Sequence, residues 1–390
     1  MHDVVVIGAG PAGSVAAERL ADRGLDVVVL EEHAEVGSPV HCTGLLGDEA
    51  FAEFGLPRSL VLAQADAARF WGAAGQSFTV SSARVRAAII DRACLDQHLA
   101  ARAARAGAVI HRSWRAESIA VEPGRVVVHS ITGSVEARAC VLACGAHYRF
   151  HAALGLGRPD LFLQSAQLET PFPPMPGIEV QFGREIAPAG FAWLVPFTRA
   201  GESFARIGLM TTSRAAERFG SFYRSLTTRA GAIGRPAPAP RLKMLPLGPI
   251  ARTFADRVVA VGDAAGLVKP TTGGGIYYGM LSGVMAADAL ARSLRRDRLE
   301  ADALQGYETA WRRRLGAEIE SGIAFRRIAE SLSDESIDAL IDLGRDNGVV
   351  PLLRRTASFN WHRKAAVALL KHPSVRRIVF GALQRGARPV

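Results

Sequence analysis

The segment Gly8-Ala-Gly10-Pro-Ala-Gly13 constrains this chain more than any other. It follows the β-branched run Val4–Ile7 and leads into a stretch of helical composition, Ser14 to Arg23, that stops at Gly24, the kind of residue that closes a helix. A second strand, Asp26–Leu30, ends at Glu31. This is a βαβ unit whose helix begins on a glycine turn, so free backbone N–H groups and the positive end of the helix dipole face a phosphate. Gly8 permits the tight turn, Gly10 lets a pyrophosphate approach, and Gly13 lets helix and strand close up. Glu31 stands where a carboxylate accepts both hydroxyls of a ribose. Glycines at this spacing alone are weak evidence. With strand, helix, second strand and acid in register, a dinucleotide site outweighs an ordinary glycine-rich turn.

A second motif chooses the dinucleotide. Val258–Val261 reads as a buried strand ending in Gly262-Asp263-Ala-Ala-Gly266, and Pro270-Thr-Thr-Gly273-Gly274-Gly275-Ile276 opens a helix to about Arg292. Asp263 at a strand end can hold a ribitol hydroxyl. The glycines set a second helix amino terminus where a pyrophosphate or the pyrimidine edge of a flavin would sit. A nicotinamide needs no such second element, so FAD is the expected cofactor.

Composition bounds the rest. The chain has 390 residues, 49% of them hydrophobic, enough for a large core and too many for a disordered tail. There are 47 basic and 37 acidic residues, a net +10. Residues 345–390 hold ten basic residues against Asp346, so +9 of that excess lies in the tail. Of the 47 basic residues only Lys243, Lys269, Lys364 and Lys371 are lysine, a skew expected of a GC-rich genome, and nucleic acid is not an expected partner. The cysteines, Cys42, Cys94, Cys140 and Cys144, are too scattered for a disulfide framework or a zinc site. Cys140 and Cys144 are expected on one strand, facing one side, as small buried thiols. A strand motif from residue 3 leaves no room for a signal peptide, and the uncharged run Pro270–Ala287 is too glycine-rich for a spanning helix. A cytoplasmic protein is expected.

From about Leu161 to Ile250 the pattern changes to strands at Gln164–Glu169, Ile178–Phe182, Phe191–Phe197 and Phe204–Met210, then a helix over Ser213–Ala230 and the stiff connector Arg235-Pro-Ala-Pro-Ala-Pro240. The expected fold class is α/β: a Rossmann-type FAD-binding domain in two parts, 1–160 and 251–330, an inserted antiparallel-sheet substrate domain, 161–250, and a basic helical region, 331–390. Phe191, Trp193 and Val195 alternate, so they share one face, lining either a core or an apolar slot. In the last part, Trp311, Leu315, Ile319 and Ile323 predict a helix, and Ser333 caps the next, which ends before Gly344. Val375, Ile378, Val379, Ala382 and Leu383 form a stripe flanked by Arg376, Arg377 and Arg385. That stripe either docks on the domain with a basic outer face or lies on an anionic membrane, making the protein peripheral at the inner face.

Both motifs together resemble the glutathione-reductase-type flavoproteins of the aromatic-hydroxylase branch. Four further stretches narrow the resemblance to the geranylgeranyl reductase family: Gly37-Ser-Pro-Val-His41-Cys42-Thr43-Gly44, Arg92-Ala-Cys-Leu-Asp96, Pro188-Ala-Gly-Phe191-Ala-Trp193-Leu-Val-Pro196 and Gly262 to Gly283. The resemblance implies FAD contacts at Ala12, Glu31, Cys42, Thr43, Gly44, Arg92, Asp263, Gly275 and Ile276, with Ala116 contacting the adenine through its backbone. Arg92 also has a physical case, since a guanidinium can fork onto a diphosphate. The family's Tyr-x-Trp-x-Phe-Pro stretch lines a prenyl pocket, which makes Phe191 and Trp193 candidates for the substrate wall. Here Phe191 replaces the tyrosine and Val195 the second aromatic.

What the resemblance implies is a reductase that saturates carbon–carbon double bonds of a prenyl lipid or prenyl diphosphate by hydride transfer from reduced flavin. Cys42 is the candidate catalytic residue, as a tuning or proton-handling group, with His41 next. The alternative is that Cys42 meets FAD only through its backbone. No second glycine motif serves a nicotinamide, so NADPH binds transiently or a reduced ferredoxin supplies the electrons. Flavin monooxygenation and electron transfer to quinone are the rival readings. The first usually has a histidine where this chain has Gly266, and the second wants an iron–sulfur module for which no cysteine cluster exists. A halogenase needs a lysine in the amino-terminal third, and the first lysine is Lys243.

Overall fold

Val4, Val5 and Val6 are fully buried, as are Val27, Val28 and Val29, which marks strands covered on both faces. In the computed structural model, which describes residues 1–81, 87–230, 238–345 and 349–386, these strands are His2–Ile7 and Val27–Leu30. They lie side by side in a sheet ordered Phe254–Ala255, Val258–Ala260, Gly133–Leu142, His2–Ile7, Val27–Leu30, Val109–His111. The last five strands of that order are parallel. An antiparallel ribbon, Ser118–Glu122 with Arg125–Ser130, extends from Gly133–Leu142. Helix Pro11–Ala21 packs against both Arg92–Arg105 and Ile276–Arg295. This is a Rossmann-type α/β unit.

The chain divides into two units, each discontinuous in sequence. The parallel-sheet unit comprises Met1–Val40, Arg92–Leu161 and Pro246–Ile319; the other comprises His41–Asp91, Phe162–Leu245 and Glu320–Val390. Residues 41–91, placed by the linear reading within 1–160, thus group with the inserted sheet. Residues 320–390 group with it as well.

The second unit is built on a seven-stranded sheet ordered Arg241–Pro246, Phe162–Pro171, Glu202–Thr211, Phe191–Arg199, Ile178–Gln181, Ala67–Trp71, Ser77–Ser81. Pairing from Phe162–Pro171 to Ile178–Gln181 is antiparallel, and Ile178–Gln181 runs parallel to Ala67–Trp71. Alternation divides its faces. Ala166, Ala192, Leu194, Ala205, Ile207 and Leu209 lie under helix Ala215–Arg229, against Phe219, Phe222 and Leu226. Phe191, Trp193, Val195 and Phe197 point the other way, and Val195 and Phe197 pack with Ile89 of a small three-stranded sheet.

Several local expectations are corrected. The strand carrying Cys140 ends at Leu142, so Cys144 lies beyond it and donates its thiol to the His147 carbonyl at 3.2 Å. Cys94 is exposed. Trp311, Leu315 and Ile319 are buried, but a spacing of four drifts around a helix of 3.6 residues per turn. A wide π-helical turn, Arg312–Gly316, absorbs the drift. Ser333 does cap the following helix, its Oγ accepting the Ser336 N–H at 3.3 Å. That helix, Asp334–Arg345, continues through Gly344, where a Cβ would fall 2.5 Å from the Phe78 ring. The glycine makes room for a neighbour rather than a stop. Residues 235–237 of the connector lie outside the described residues.

The tail forms helices Val350–Thr356, Arg363–Lys371 and Pro373–Gly386. Val375 and Val379 are buried with Val349 against Ile328, Leu340, Leu343, Leu353, Leu369 and Leu370. The stripe therefore docks on its own unit through Val375 and Val379, while Leu383 at its end is 37% exposed. Its outer face presents Arg376, Arg377 and Phe380, the last 57% exposed. Among the described residues no helix is long and apolar enough to cross a membrane.

Candidate cofactor site and aromatic face

The glycine turn is built by exclusion. Gly8 has φ +104°, and a Cβ on Gly13 would lie 2.1 Å from the Gly8 carbonyl oxygen, so strand and helix meet at backbone distance. Nothing lies within 4 Å of the Cβ direction of Gly10, which leaves that side of the turn open. Helix Pro11–Ala21 starts on this turn with proline in its first positions, no capping side chain and no acid in its first turn. Its positive end is left for an anion. Glu31, 8% exposed, accepts the Ala9 N–H at 2.9 Å through one oxygen and the His33 N–H at 3.0 Å through the other. The carboxylate is thereby fixed beside the turn with lone pairs left for ribose hydroxyls. The Trp114 N–H donates to the Glu31 carbonyl at 2.8 Å, which sets the segment leading to buried Ala116 alongside. An open approach, a fixed acid and an uncapped helix fit a dinucleotide.

The second motif meets the first through Ala12. A Cβ on Gly262 would lie 3.0 Å from the Ala12 side chain, and one on Gly283 would lie 2.4 Å from its carbonyl oxygen. Asp263 lies in the turn Gly262–Ala265, with its Oδ1 only 2.7 Å from the Cβ direction of Gly275, the residue that caps helix Ile276–Arg295. Gly273, with φ +69°, and Gly274 complete this cradle. Two groups that sequence reasoning missed hold the turn: Tyr148 donates to the Asp263 carbonyl at 2.6 Å, and His151 bonds the Ala264 carbonyl at 2.7 Å. Burial lowers the His151 imidazole from its ordinary value, against the Ala264 hydrogen bond that raises it, and pushes the Tyr148 phenol up. Their signal was the polar cluster His147-Tyr-Arg-Phe-His151 just after a buried strand. Arg92, at the start of helix Arg92–Arg105, donates to Asp96 at 2.7 Å, so part of its guanidinium is already engaged.

Gly266 has φ +67°, and a Cβ there would lie 2.0 Å from the Gly248 carbonyl oxygen. A histidine does not fit, which counts against the monooxygenase reading. Burial pushes the Cys144 thiol up to about 12 and that of Cys140 higher still, so neither is a nucleophile near neutral pH.

In the second unit, the loop Cys42–Gly44 is held by a buried arginine that the sequence did not single out. Arg206, 1% exposed, donates through Nη1 to the carbonyls of Thr43 at 2.8 Å and Ile90 at 2.9 Å, and through Nε to Glu169 at 2.8 Å. The Thr43 hydroxyl donates to Gln167 at 2.6 Å. The Cys42 sulfur accepts the Gly44 N–H at 3.4 Å. Burial alone would raise the Glu169 carboxyl; hydrogen bonds and charge from Arg206 and Arg199 outweigh it and hold the group below its ordinary value. Burial, with the charges of Lys243 and Arg241 acting the same way, lowers His41, whose Nε2 has no hydrogen-bond partner among the described residues.

An aromatic row crosses the sheet face opposite the helix-covered core. Ring centroids run Phe78–Phe70 at 5.4 Å, Phe70–Phe182 at 6.5 Å, Phe182–Phe191 at 6.0 Å and Phe191–Trp193 at 5.8 Å. The Trp193 indole lies over Gly208 of the next strand, where a Cβ would come within 2.5 Å of the ring. Its Nε1 has no hydrogen-bond partner among the described residues.

Comparisons with known proteins follow the same lines. Residues 2–167 match the family described as pyridine nucleotide-disulphide oxidoreductase, and residues 239–339 match that described as lycopene cyclase protein. The chain is 32% identical over 373 residues to digeranylgeranylglycerophospholipid reductase 2 of Methanothermobacter thermautotrophicus, covering 87% of this chain and 91% of that protein. The crystal structure of a geranylgeranyl bacteriochlorophyll reductase-like protein from Thermoplasma acidophilum has the same fold, with a TM-score of 0.83 and 24% identity over 98% of this chain and 99% of that one. Halogenase PltM, solved with phloroglucinol and FAD, shares the fold at a TM-score of 0.67 and 16% identity, over 100% of this chain and 93% of that one.

Proposed function

The chain belongs to the geranylgeranyl reductase family of FAD-dependent oxidoreductases, and from that premise we propose that it saturates carbon–carbon double bonds in the prenyl chains of a membrane lipid. The observation that carries this reading is the aromatic row ending at Phe191 and Trp193, on the sheet face away from the helix-covered core. Such a row offers an isoprenoid chain an apolar wall. The relative from Methanothermobacter is named for a digeranylgeranylglycerophospholipid, and a lipid of that class is the proposed substrate.

FAD, when bound and reduced by the electron donor, would supply the hydride, since an isolated alkene needs a strong donor. The protein's work is to hold and orient. Gly8–Gly13 and Glu31 take the dinucleotide, with Arg92 and the backbone at Ala116; Gly262, Asp263 and Gly273–Ile276 take the flavin end. The family resemblance adds Thr43 and Gly44, on the loop fixed by Arg206, as proposed FAD contacts. Cys42 on that loop is the proposed proton-handling thiol. Cys42→Ala is expected to retain FAD and lose at least tenfold in turnover; full turnover would leave Cys42 a backbone role only.

Electrons come from NADPH or a reduced ferredoxin, and stopped-flow bleaching of the bound flavin by each separates them. The reductase reading is tested by lipid mass spectrometry of a host with and without the gene. Prenyl lipids should gain the mass of two hydrogens per double bond. No such shift in any prenyl species would overturn the reading.

The basic outer face of the tail, with exposed Phe380 and Val367 among Arg376, Arg377 and Lys371, is the proposed contact with an anionic membrane surface.

A further inference from the structure

Lys269 is the lysine of the second motif, and it is 6% exposed. Its backbone closes the loop that precedes helix Ile276–Arg295: its N–H donates to the Gly274 carbonyl at 3.2 Å, and its carbonyl accepts the N–H groups of Thr272 at 3.2 Å and Gly273 at 2.8 Å. Its side chain then lies along Gly274. A Cβ there would meet Lys269 Cε at 2.7 Å and Nζ at 3.3 Å. The ammonium thus runs beside the glycine cradle, next to the residue whose missing side chain admits it. Asp263 flanks the same cradle at Gly275, so carboxylate and ammonium lie beside adjacent glycines.

We infer that Lys269 is a positioning residue for charge: it stabilises the negative charge that two-electron reduction adds to the pyrimidine ring of the flavin, and so raises the flavin's potential. The cradle is the part of the chain proposed above to take the flavin end. The helix amino terminus contributes partial positive charge there, and the ammonium beside Gly274 adds to it from a low-dielectric position. This rests on the FAD assignment but not on the prenyl substrate, so its test is independent of the lipid experiment.

The test uses the FAD-loaded protein with Lys269→Met, which keeps the length and apolar bulk of the stem, and Lys269→Arg, which keeps the charge. Two readouts apply, the midpoint potential by dithionite titration against reference dyes and the affinity for sulfite. Sulfite forms an S–N bond at flavin N5 and drives the displaced electron pair into the pyrimidine ring, so it probes the same charge without reduction. Lys269→Met is expected to weaken sulfite binding at least tenfold and to shift the reduction equilibrium by a similar factor, about 30 mV toward negative values for a two-electron couple. Lys269→Arg should recover most of both. An unchanged potential and sulfite affinity in the loaded methionine variant would overturn the inference. So would loss of FAD retention with an unshifted potential in the flavin that remains, which would put the lysine on the pyrophosphate. A methionine variant that loads no FAD would overturn it as well, because charge tuning leaves the dinucleotide contacts intact.

Discussion

Replacing Arg206 by methionine tests whether the loop Cys42–Gly44 depends on one buried guanidinium. Methionine fills much of the same space without donors. Three charged hydrogen bonds disappear, to Glu169, to the Thr43 carbonyl and to the Ile90 carbonyl. Charged hydrogen bonds contribute about 1.5–3 kcal/mol each, but Glu169 keeps Arg199 as a partner and is 30% exposed, which limits the charge left stranded. A net loss of about 3–5 kcal/mol is expected, as for breaking a buried pair. Against a total of about 5–15 kcal/mol, that is a large share. In urea the unfolding midpoint should fall by about 1 M or more. Arg206→Lys should fall between, because an ammonium cannot reach all three acceptors in the planar fork that arginine provides. Acid should narrow the gap. The Glu169 carboxyl is held below its usual value, so its contribution is present above the ordinary carboxylate range and is lost as pH falls through the lowered native one. A methionine variant within about 1 kcal/mol of wild type would refute the reasoning, because buried carbonyls stripped of their donor cost about that much each.

Three further outcomes follow from the geometry. Glu31→Gln removes charge from the group that orders the glycine turn and faces the ribose, and FAD affinity should fall about tenfold or more by fluorescence titration, at 1–3 kcal/mol for charged bonds. Trp193→Ala should leave flavin absorbance intact and raise KM for the prenyl substrate, while Gly208→Ala, which forces the indole off its strand, should do the same in milder form. Arg376→Glu with Arg377→Glu and Phe380→Ser, all on the exposed face, should abolish flotation with anionic vesicles and leave the melting temperature unchanged; flotation equal to wild type would remove the membrane contact.

The cofactor half of the fold was legible because its signals are local. Glycines that must sit at backbone distance, a β-branched run and an acid at a strand end, taken in that order, leave a chain few alternative ways to fold. The strands at 162–171, 191–199 and 202–211 were legible for the same reason, period-two alternation, with errors only at their ends. What stayed hidden depends on distant partners. Arg206 reads in sequence like any of 42 other arginines, and only the meeting of three strands and a loop makes it a buried anchor. Gly344 looked like a helix stop because nothing near it in sequence announces Phe78. The assignment of 41–91 to the sheet unit hangs on pairing of Ala67–Trp71 with Ile178–Gln181, more than a hundred residues on, which no local pattern specifies.

The last helix divides two tasks between its sides. Val375 and Val379 belong to the core of their unit, while Arg376, Arg377 and Phe380 are exposed. The chain therefore cannot shed its charge by losing this segment without opening that core to water. It can, however, rewrite the charge freely, one exposed residue at a time. Substitutions at the outward positions should therefore change the surface charge and leave the melting temperature alone, whereas polar substitutions at Val375 or Val379 should lower it.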